Sequence, residues 1–377
     1  MFEEFEKYLK EDWGKAAQAE IKGKKVEEVI DWQTEEGFRL SAFYQKNDTA
    51  QIAYLQKFHA MLFNPEQPQK TARNCQKINV LDSKKANQIA LSALNNGANE
   101  VCFHISNSKV LDFSLLLQDI LLPYCAVSFS CLAKDALHII KEYILYAPKC
   151  GYDLETLVGS IYIIDQENID IQMLKALLEN TENESNFLVI DISGSEGEVT
   201  ERNATLLAKT VKIINALIDE GLDIESIIKK VQFSTFIGNQ YFIEIAGLRA
   251  LRMLFTEIVK EYGMKNYHPY QVHIHALTNI VIDEKTTAEP DWNILSNTTQ
   301  AMAALIGGCD VLSVLAHNQG LAAENSFSTR IARNIHNLLV EESYIDKATD
   351  IAAGSYYIDV LTDKVAETTW EKFRQLL

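Results

Sequence analysis

The sequence has few of the features that mark membrane, secreted and nucleic-acid-binding proteins. No run approaches the roughly 20 apolar residues of a membrane-spanning helix, and no apolar leader precedes the charged start. The six cysteines form no CxxC pair, which excludes the common zinc and redox spacings. Basic residues number 35 against 52 acidic ones, and the net charge of -17 disfavours contact with phosphate backbones and anionic lipid. We therefore expect a cytoplasmic protein with no membrane or nucleic-acid partner.

A regular alternation of two kinds of segment runs from about Ile78 onward. Short β-branched or aromatic runs alternate with longer segments of helical periodicity, which predicts parallel strands joined by crossover helices. Lys84 to Asn95 is typical of the helical segments, and Gly97 follows it as a C-cap. The strand-like runs are residues 77–81, 100–105, 124–130, 160–164, 187–192, 231–237, 272–277 and 311–315. About eight such runs predict an α/β fold of the (β/α)8 TIM-barrel type.

The first 45 residues do not follow this alternation. They are charged and break into two amphipathic pieces, at 2–19 and 25–32, that precede any barrel strand. The sequence therefore predicts an N-terminal helical arm at 1–45 and a barrel domain at 46–377. A polar stretch at 284–292 follows the seventh predicted strand, and we expect it to be a loop on the ligand-binding face.

Polar residues at the predicted strand ends are the candidates for chemistry, because barrel enzymes build their sites there. His273 and His275 are two apart on one strand and share a face, which would suit a metal pair, but no third ligand has a recognisable spacing. Asp191 could act as a base or belong to a structural hydrogen-bond network, and both interpretations stay open. The remaining candidates are His104, Cys131, Asp165, Asn239 and His317.

Several segments resemble the barrel domain of the methylmalonyl-CoA mutases. They are residues 191–198, 231–239, 244–250, 330–334 and 354–357. The resemblance implies a barrel related to acyl-CoA-binding enzymes that isomerise their substrate with adenosylcobalamin. Catalytic members carry a Tyr-His pair after Ile-Ser-Gly, and here Ser195 and Glu196 occupy those positions. The resemblance therefore implies a chain without the catalytic pair.

Other pocket positions of the family are also altered. His273 matches a pocket histidine, whereas other matched positions carry different residues from those of catalytic members: His275 for a glutamine, Ser296 for an arginine, Ser313 for a histidine and Leu315 for an asparagine. Apolar residues at strand ends favour filling a cavity, so we expect a filled barrel that binds no acyl-CoA. We interpret four residues as vestiges of a substrate pocket: Asn239, His273, His275 and Ser313. No catalytic, cofactor-binding or metal-binding residue is expected.

The resemblance implies the small (beta, non-catalytic) subunit of a heterodimer. Its partner would be the catalytic large subunit, which holds adenosylcobalamin and interconverts methylmalonyl-CoA and succinyl-CoA; the family's C-terminal cobalamin-binding domain is not expected in this chain. Trp13, Trp32 and Gly37 match the start of small subunits, where the arm wraps the partner. An arm folded back on its own barrel stays an alternative.

Two other functions stay open. One is an active acyl-CoA mutase barrel that uses cobalamin held by a separate subunit. The other is a homodimeric acyl-CoA-binding or regulatory protein.

Overall fold

The computed structural model describes residues 9–65, 71–108, 111–181, 186–194, 197–321 and 325–377. Strands in these ranges are β1 (Trp32–Gln33), β2 (Arg39–Leu40), β3 (Arg73–Asn79), β4 (Glu100–Ile105), β5 (Ala126–Cys131), β6 (Val158–Ile163), β7 (Asn186–Leu188), β8 (Ile190–Ser193), β9 (Val231–Ile237), β10 (Ile274–Thr278) and β11 (Val311–Ser313). Helices are α1 (Lys10–Glu20), α2 (Val26–Val29), α3 (Tyr54–Met61), α4 (Ser83–Leu94), α5 (Phe113–Leu116), α6 (Ala133–Lys149), α7 (Ile171–Thr181), α8 (Val199–Asp219), α9 (Ile224–Ile228), α10 (Tyr241–Glu261), α11 (Glu284–Ala288), α12 (Trp292–Ile306), α13 (Ser326–Asn337) and α14 (Tyr356–Leu376).

The strands from β3 to β11 form a parallel barrel. Their order is β7-β6-β5-β4-β3-β11-β10-β9-β8. Only Val189 separates β7 from β8 along the chain, so the two act as one strand that changes neighbours: β7 pairs with β6, and β8 pairs with β9. The ring therefore has eight strand positions, and the predicted (β/α)8 TIM barrel is confirmed. The break within the predicted run 187–192 was not expected.

Alternation along each strand separates an outer from an inner environment. In β4, Val101, Phe103 and Ile105 are buried in the large hydrophobic core between strands and helices. Cys102 belongs instead to a small cluster inside the ring, together with Cys75, Tyr162 and Val311. The period of two is that of a β-strand whose faces point in opposite directions. The main core therefore lies outside the ring.

Local sequence determines where α4 begins and ends. Asp82 caps the start, since its carboxylate accepts a hydrogen bond from the Lys85 backbone N–H at 2.8 Å. Gly97 follows the helix with φ of 94°, a conformation that favours glycine, and a Cβ there would lie 2.3 Å from Asn337 Nδ2. The predicted helix and its glycine C-cap are both confirmed.

The stretch 284–292 is not the simple loop that the sequence predicted. It contains the short helix α11 and the start of α12. Asp283 accounts for α11, because its carboxylate accepts from the Thr286 backbone N–H at 2.7 Å and so caps the first turn. In the ranges that the structure describes, no helix combines the length and apolarity needed to cross a membrane.

The second half of the arm packs against its own barrel. Leu40 of the arm shares a buried cluster with residues of α10 and α14, and Ile52, Leu55 and Phe58, which follow the arm, belong to the same cluster. The β1–β2 hairpin also places Glu36 at the start of α8, where its carboxylate accepts from the Val199 backbone N–H at 2.6 Å and the Thr200 N–H at 3.0 Å. These contacts connect the second half of the arm to the barrel.

The first half of the arm is exposed. Neither α1 nor α2 has a buried residue. The main anchors of α1 are a stacked pair, Trp13 on Phe43 with ring centroids 5.1 Å apart, and an ion pair from Lys10 to Asp48 at 2.8 Å. The predicted helix at 25–32 ends earlier than expected, at Val29, because Trp32 pairs in β1.

Candidate functional site

The inward-facing side chains of the barrel are mostly polar. Contacts between strands that are not neighbours must pass through the interior, and they identify these side chains: Ser160 Oγ on β6 donates to Gln232 Oε1 on β9 at 2.8 Å. The rings of Tyr162 on β6 and His275 on β10 also meet, with centroids 4.9 Å apart. The expected apolar filling is therefore wrong for this region. The expectation was based on Val and Leu at the carboxyl ends of strands, but polar side chains line the interior nearer to the amino end.

A paired layer closes the amino end of the interior. Arg73 Nε lies 2.8 Å from Glu100 Oε2, and Glu100 is fully buried. Ser128 Oγ donates to the other Glu100 oxygen at 2.6 Å. His273 Nε2 lies 3.3 Å from the Arg73 guanidinium. His273 precedes β10, so it lies at the amino end of the barrel and not at the carboxyl end where the sequence placed it.

His275 and Ser313, two predicted vestiges, are brought together in the middle of the ring. His275 Nε2 lies 2.9 Å from Ser313 Oγ. Burial, with the nearby positive charge of Lys77, holds the pKa of His275 well below its usual range, so the ring is neutral at pH 7. In the part of the chain that is described, no group of three or more His, Cys, Asp or Glu residues could hold a metal ion.

Asp191 is a buried carboxyl group on β8. Ser234 Oγ donates to its Oδ1 at 2.6 Å. Burial raises the pKa of Asp191 to about 7, although the hydrogen bond from Ser234 and the charge of Lys77 both lower it. The group can therefore gain or lose a proton near neutral pH. Both interpretations of Asp191, base or structural group, remain compatible with this geometry.

Ser195 and Glu196, which were predicted to occupy the family's Tyr-His positions, lie outside the described residues. The segments on either side are fixed. The Gly194 backbone N–H donates to the Ser234 carbonyl at 2.9 Å, and Glu198 lies 3.2 Å from Lys372 Nζ. The two positions therefore connect the carboxyl end of β8 to the start of α8.

Asn239 is held in a polar network above β9. Its Oδ1 accepts from Ser296 Oγ at 2.9 Å and from Gln300 Nε2 at 2.8 Å. Gln300 in turn accepts from the Asn279 backbone N–H at 2.6 Å. Ser296, which the sequence matched to an arginine of the family, thus holds Asn239 in the connection between β9 and α10. The sequence placed Asn239 at this end of the barrel but did not predict the network.

The other candidates are dispersed. His104 Nδ1 lies 3.4 Å from Ser130 Oγ at the carboxyl end. Cys131 lies in the outer core, where burial raises the pKa of its thiol. Asp165 accepts from the Ala133 backbone N–H at 2.7 Å and so supports the start of α6. His317 lies 3.3 Å from Asp291. None of these four joins Asp191 and His275.

Two further residues on the inner face of the strands were not singled out from the sequence: Tyr162, which is buried, and Lys77, which is exposed at the mouth of the barrel. Lys77 lies near the carboxyl end of β3, and its charge lowers the pKa of Asp191, His275 and His104. Tyr162 is buried against His275. The alternation of side chains along the strand could have identified Lys77, because it stands two residues from Cys75 and so shares the inward face of β3.

The sequence was compared with known proteins. The profile of the family described as Methylmalonyl-CoA mutase matches residues 103–376. The Methylmalonyl-CoA mutase small subunit of Porphyromonas gingivalis is 30% identical over an alignment 398 positions long, gaps included. The alignment covers 99% of this chain and 63% of that protein.

Similarity extends to a large subunit and to a second small subunit. The large subunit of the same organism is 28% identical, over 72% of this chain and 40% of that protein. The small subunit of Streptomyces virginiae is 33% identical, over 45% of this chain and 27% of that protein. The chain matches less than two thirds of the length of each of these relatives.

Proposed function

Because this chain belongs to the methylmalonyl-CoA mutase family, we propose that it is the small, non-catalytic subunit of a heterodimeric mutase. Its partner is the large subunit, which interconverts methylmalonyl-CoA and succinyl-CoA with adenosylcobalamin. The similarity to both a small and a large subunit from one organism supports this assignment. All six cysteines are unpaired, which suits the reducing cytoplasm.

The observation that carries the non-catalytic role is the set of side chains crossing the barrel interior. Tyr162 and His275 are buried and meet across the ring at 4.9 Å. Below them, the Arg73–Glu100 pair closes the amino end. A substrate entering along the barrel axis would have to displace this buried, hydrogen-bonded set, which costs several kcal/mol for a buried ion pair, roughly 3–5 if one partner is lost.

The described residues of this chain do not fit adenosylcobalamin. His275 is buried in the middle of the ring and His317 is paired with Asp291, so neither is presented to a cobalt ion. We therefore assign the cofactor to the partner.

The exposed half of the arm supports the proposed subunit contact. Leu9, Val29, Ile30 and Trp32 are large apolar side chains exposed in one short stretch of the chain. Aromatic and aliphatic anchors of this kind commonly carry the energy of a protein–protein interface. We assign residues 9–32 to the contact with the large subunit, and the packed half of the arm holds this segment on the barrel.

An activity assay tests the non-catalytic role. The full chain, the large subunit and an equimolar mixture are each supplied with adenosylcobalamin and methylmalonyl-CoA, and succinyl-CoA is measured. We expect turnover in the mixture and none from this chain alone, since removing one positioned catalytic group alone costs about 100-fold or more. Turnover by the isolated chain would overturn the proposal.

Deletion of residues 1–30 tests the assigned contact. This truncation removes α1 and α2 but leaves Glu36 and the packed half of the arm in place. We expect the truncated chain to stay folded by circular dichroism and to lose co-purification with the large subunit. The matched control is Lys229→Ala, an exposed residue outside the arm that pairs with Glu225 at 2.7 Å, which should bind normally. Unchanged binding by the truncated chain would exclude this segment as the contact.

One observation favours a second candidate, an active barrel that uses cobalamin held by a separate subunit. The interior is polar, and Asp191 has a pKa of about 7, which suits proton transfer at neutral pH. The discriminating variant is Asp191→Asn, assayed in the mixture of subunits. The non-catalytic proposal expects unchanged turnover, whereas a loss of 100-fold or more, in the range that general acid–base groups contribute, would favour the active barrel.

A further inference from the structure

The turn between α4 and β4 contains two asparagines followed by a glycine, Asn95-Asn96-Gly97, and all three residues are exposed. Asn96-Gly97 is the only Asn-Gly pair in the sequence. The side-chain amide of an asparagine can be attacked by the backbone nitrogen of the next residue, and a glycine there has no Cβ to obstruct the approach. Asparagine is accordingly one of the chemically labile residue types. The turn therefore places a reactive amide beside an unobstructed nitrogen.

The two backbone nitrogens that follow the asparagines differ in their hydrogen bonds. The Asn96 N–H donates to the Ala93 carbonyl at 3.0 Å. The Ala98 N–H closes the helix by donating to the same carbonyl at 3.1 Å. Between them, the Gly97 N–H has no hydrogen-bond partner among the described residues, although a helix end of this type commonly pairs it with the carbonyl of Leu94. The nitrogen next to Asn96 is therefore free to react, whereas the one next to Asn95 is not.

One hydrogen bond restrains the Asn96 side chain. Its Nδ2 donates to the Ser92 carbonyl at 2.7 Å, on the exposed side of the turn. Water can replace this bond, because an exposed hydrogen bond contributes little net free energy. Rotation of the side chain then brings Cγ of Asn96 to the neighbouring Gly97 nitrogen without any movement of α4.

We propose that Asn96 is a site of spontaneous deamidation. The Gly97 nitrogen attacks Cγ of Asn96, a new C–N bond forms, and the bond from Cγ to Nδ2 breaks. The proton of the Gly97 N–H leaves with Nδ2 as ammonia. Water then opens the cyclic imide at one of its two carbonyl groups, which gives either aspartate or isoaspartate. This chemistry goes beyond the subunit role proposed above and limits the lifetime of the folded chain.

Either product alters a turn that packs closely against α13. A Cβ at Gly97 would lie 2.3 Å from Asn337 Nδ2, and the Asn96 carbonyl accepts from Arg333 Nε at 3.0 Å. Isoaspartate lengthens the main chain by one carbon and so displaces both contacts. Both products also add a negative charge at the C-terminal end of α4, where the helix dipole disfavours it. Deamidation therefore weakens the contact between α4 and α13.

Mass spectrometry of the aged full chain tests the site. The chain is kept in mildly alkaline buffer, digested, and its peptides are fragmented so that Asn95 and Asn96 are measured separately. We expect conversion at Asn96 to be at least about tenfold faster than at Asn95, because attack on Asn95 first breaks the hydrogen bond from Asn96 to Ala93. Equal rates at the two positions would overturn the role of the free Gly97 nitrogen.

Two matched variants and a peptide complete this test. Asn96→Gln should abolish the conversion, whereas Asn95→Gln, a change of the same kind at the adjacent exposed residue, should leave it unchanged. A synthetic peptide that spans the turn is aged in parallel. Conversion of the peptide with no conversion in the folded chain would show that the fold protects Asn96 and would overturn the proposal.

Thermal unfolding tests the consequence for α13. We expect ageing to lower the unfolding midpoint of the natural chain and to leave that of Asn96→Gln unchanged. Asn96→Asp carries the charge without the longer main chain, so its fresh protein should show a smaller loss than the aged natural chain. An equal fall on ageing in the natural chain and in Asn96→Gln would assign the loss to another site and contradict the proposed consequence.

Discussion

The two ends of the barrel differ in how their charged groups are paired, although each holds a buried ion pair, which at the carboxyl end is Arg202–Glu244 at 2.6 Å. At the amino end, Arg73 pairs with Glu100 at 2.8 Å, and the buried Arg252 pairs with Asp310 at 2.8 Å and donates to the Pro269 carbonyl at 2.8 Å. At the carboxyl end, Lys77 and Asn79 face a crevice with no partner in the described ranges. In barrel proteins the first end commonly serves stability and the second binds ligands.

Removing Glu100 should have the largest effect, because it breaks the paired end. The variant Glu100→Ala leaves the Arg73 guanidinium beside an empty, buried site and should cost about 3–5 kcal/mol of unfolding free energy. Urea denaturation measures this loss. The control is Glu225→Ala, whose exposed ion pair with Lys229 should contribute less than about 1 kcal/mol. A loss below about 1 kcal/mol for Glu100→Ala would show that the layer is not a main source of stability.

Asp191 makes the free energy of unfolding depend on pH. Its folded-state pKa of about 7 lies above the ordinary value of 3.8, so the folded chain holds a proton that the unfolded chain has lost between those pH values. Stability from this group is therefore full below about pH 4 and falls as pH rises toward 7.

Asp191→Asn keeps the hydrogen bond from Ser234 and removes the titration. We expect the variant to be more stable than the natural chain by roughly 2–4 kcal/mol at pH 8 and nearly equal to it at pH 4. Thermal unfolding across that pH range measures the difference. Parallel curves for the two proteins would mean that Asp191 does not titrate in the folded state near pH 7.

Glu36 joins the arm to the carboxyl end, and its removal should have an intermediate effect. Glu36→Ala takes away the carboxylate that accepts from Val199 and Thr200 at the start of α8. We expect a loss of about 1–2 kcal/mol by urea denaturation. Glu35→Ala, which removes an exposed contact to Gln240, is the neighbouring control and should cost under about 0.5 kcal/mol. Equal losses in the two variants would mean that removal of a negative charge, and not loss of the hydrogen bonds to α8, lowers the stability.

Lys77→Met should have the smallest effect on stability. The ammonium group makes no ion pair in the described part of the chain, so the unfolding free energy should change by less than about 0.5 kcal/mol. A loss above about 1 kcal/mol in the same denaturation experiment would show that Lys77 is part of the folded network and would remove the contrast between the two ends.

The strands were largely predictable from sequence. The bounds of β4 and β9 agree with the predicted runs 100–105 and 231–237, because buried parallel strands appear as short apolar or β-branched runs. The break at Val189 was not predictable in this way. It arises because β7 pairs with β6 and β8 pairs with β9, and a change of neighbour leaves no mark in the composition of the run.

The interior was predicted less well than the outer core. His275 and Ser313 were singled out from the sequence, but the contacts of His275 with Ser313 and with Tyr162 depend on strands far apart in sequence. His273 was placed at the carboxyl end although the predicted run 272–277 begins only one residue before it, and the structure has it just before the start of β10.

The β1–β2 hairpin has a consequence for communication between subunits. One end of this hairpin carries Trp32, which is exposed, and its tip carries Glu36, which holds the first turn of α8. The hairpin therefore joins an exposed aromatic ring to a helix terminus. A protein that binds Trp32 contacts the same element that supports the first turn of α8.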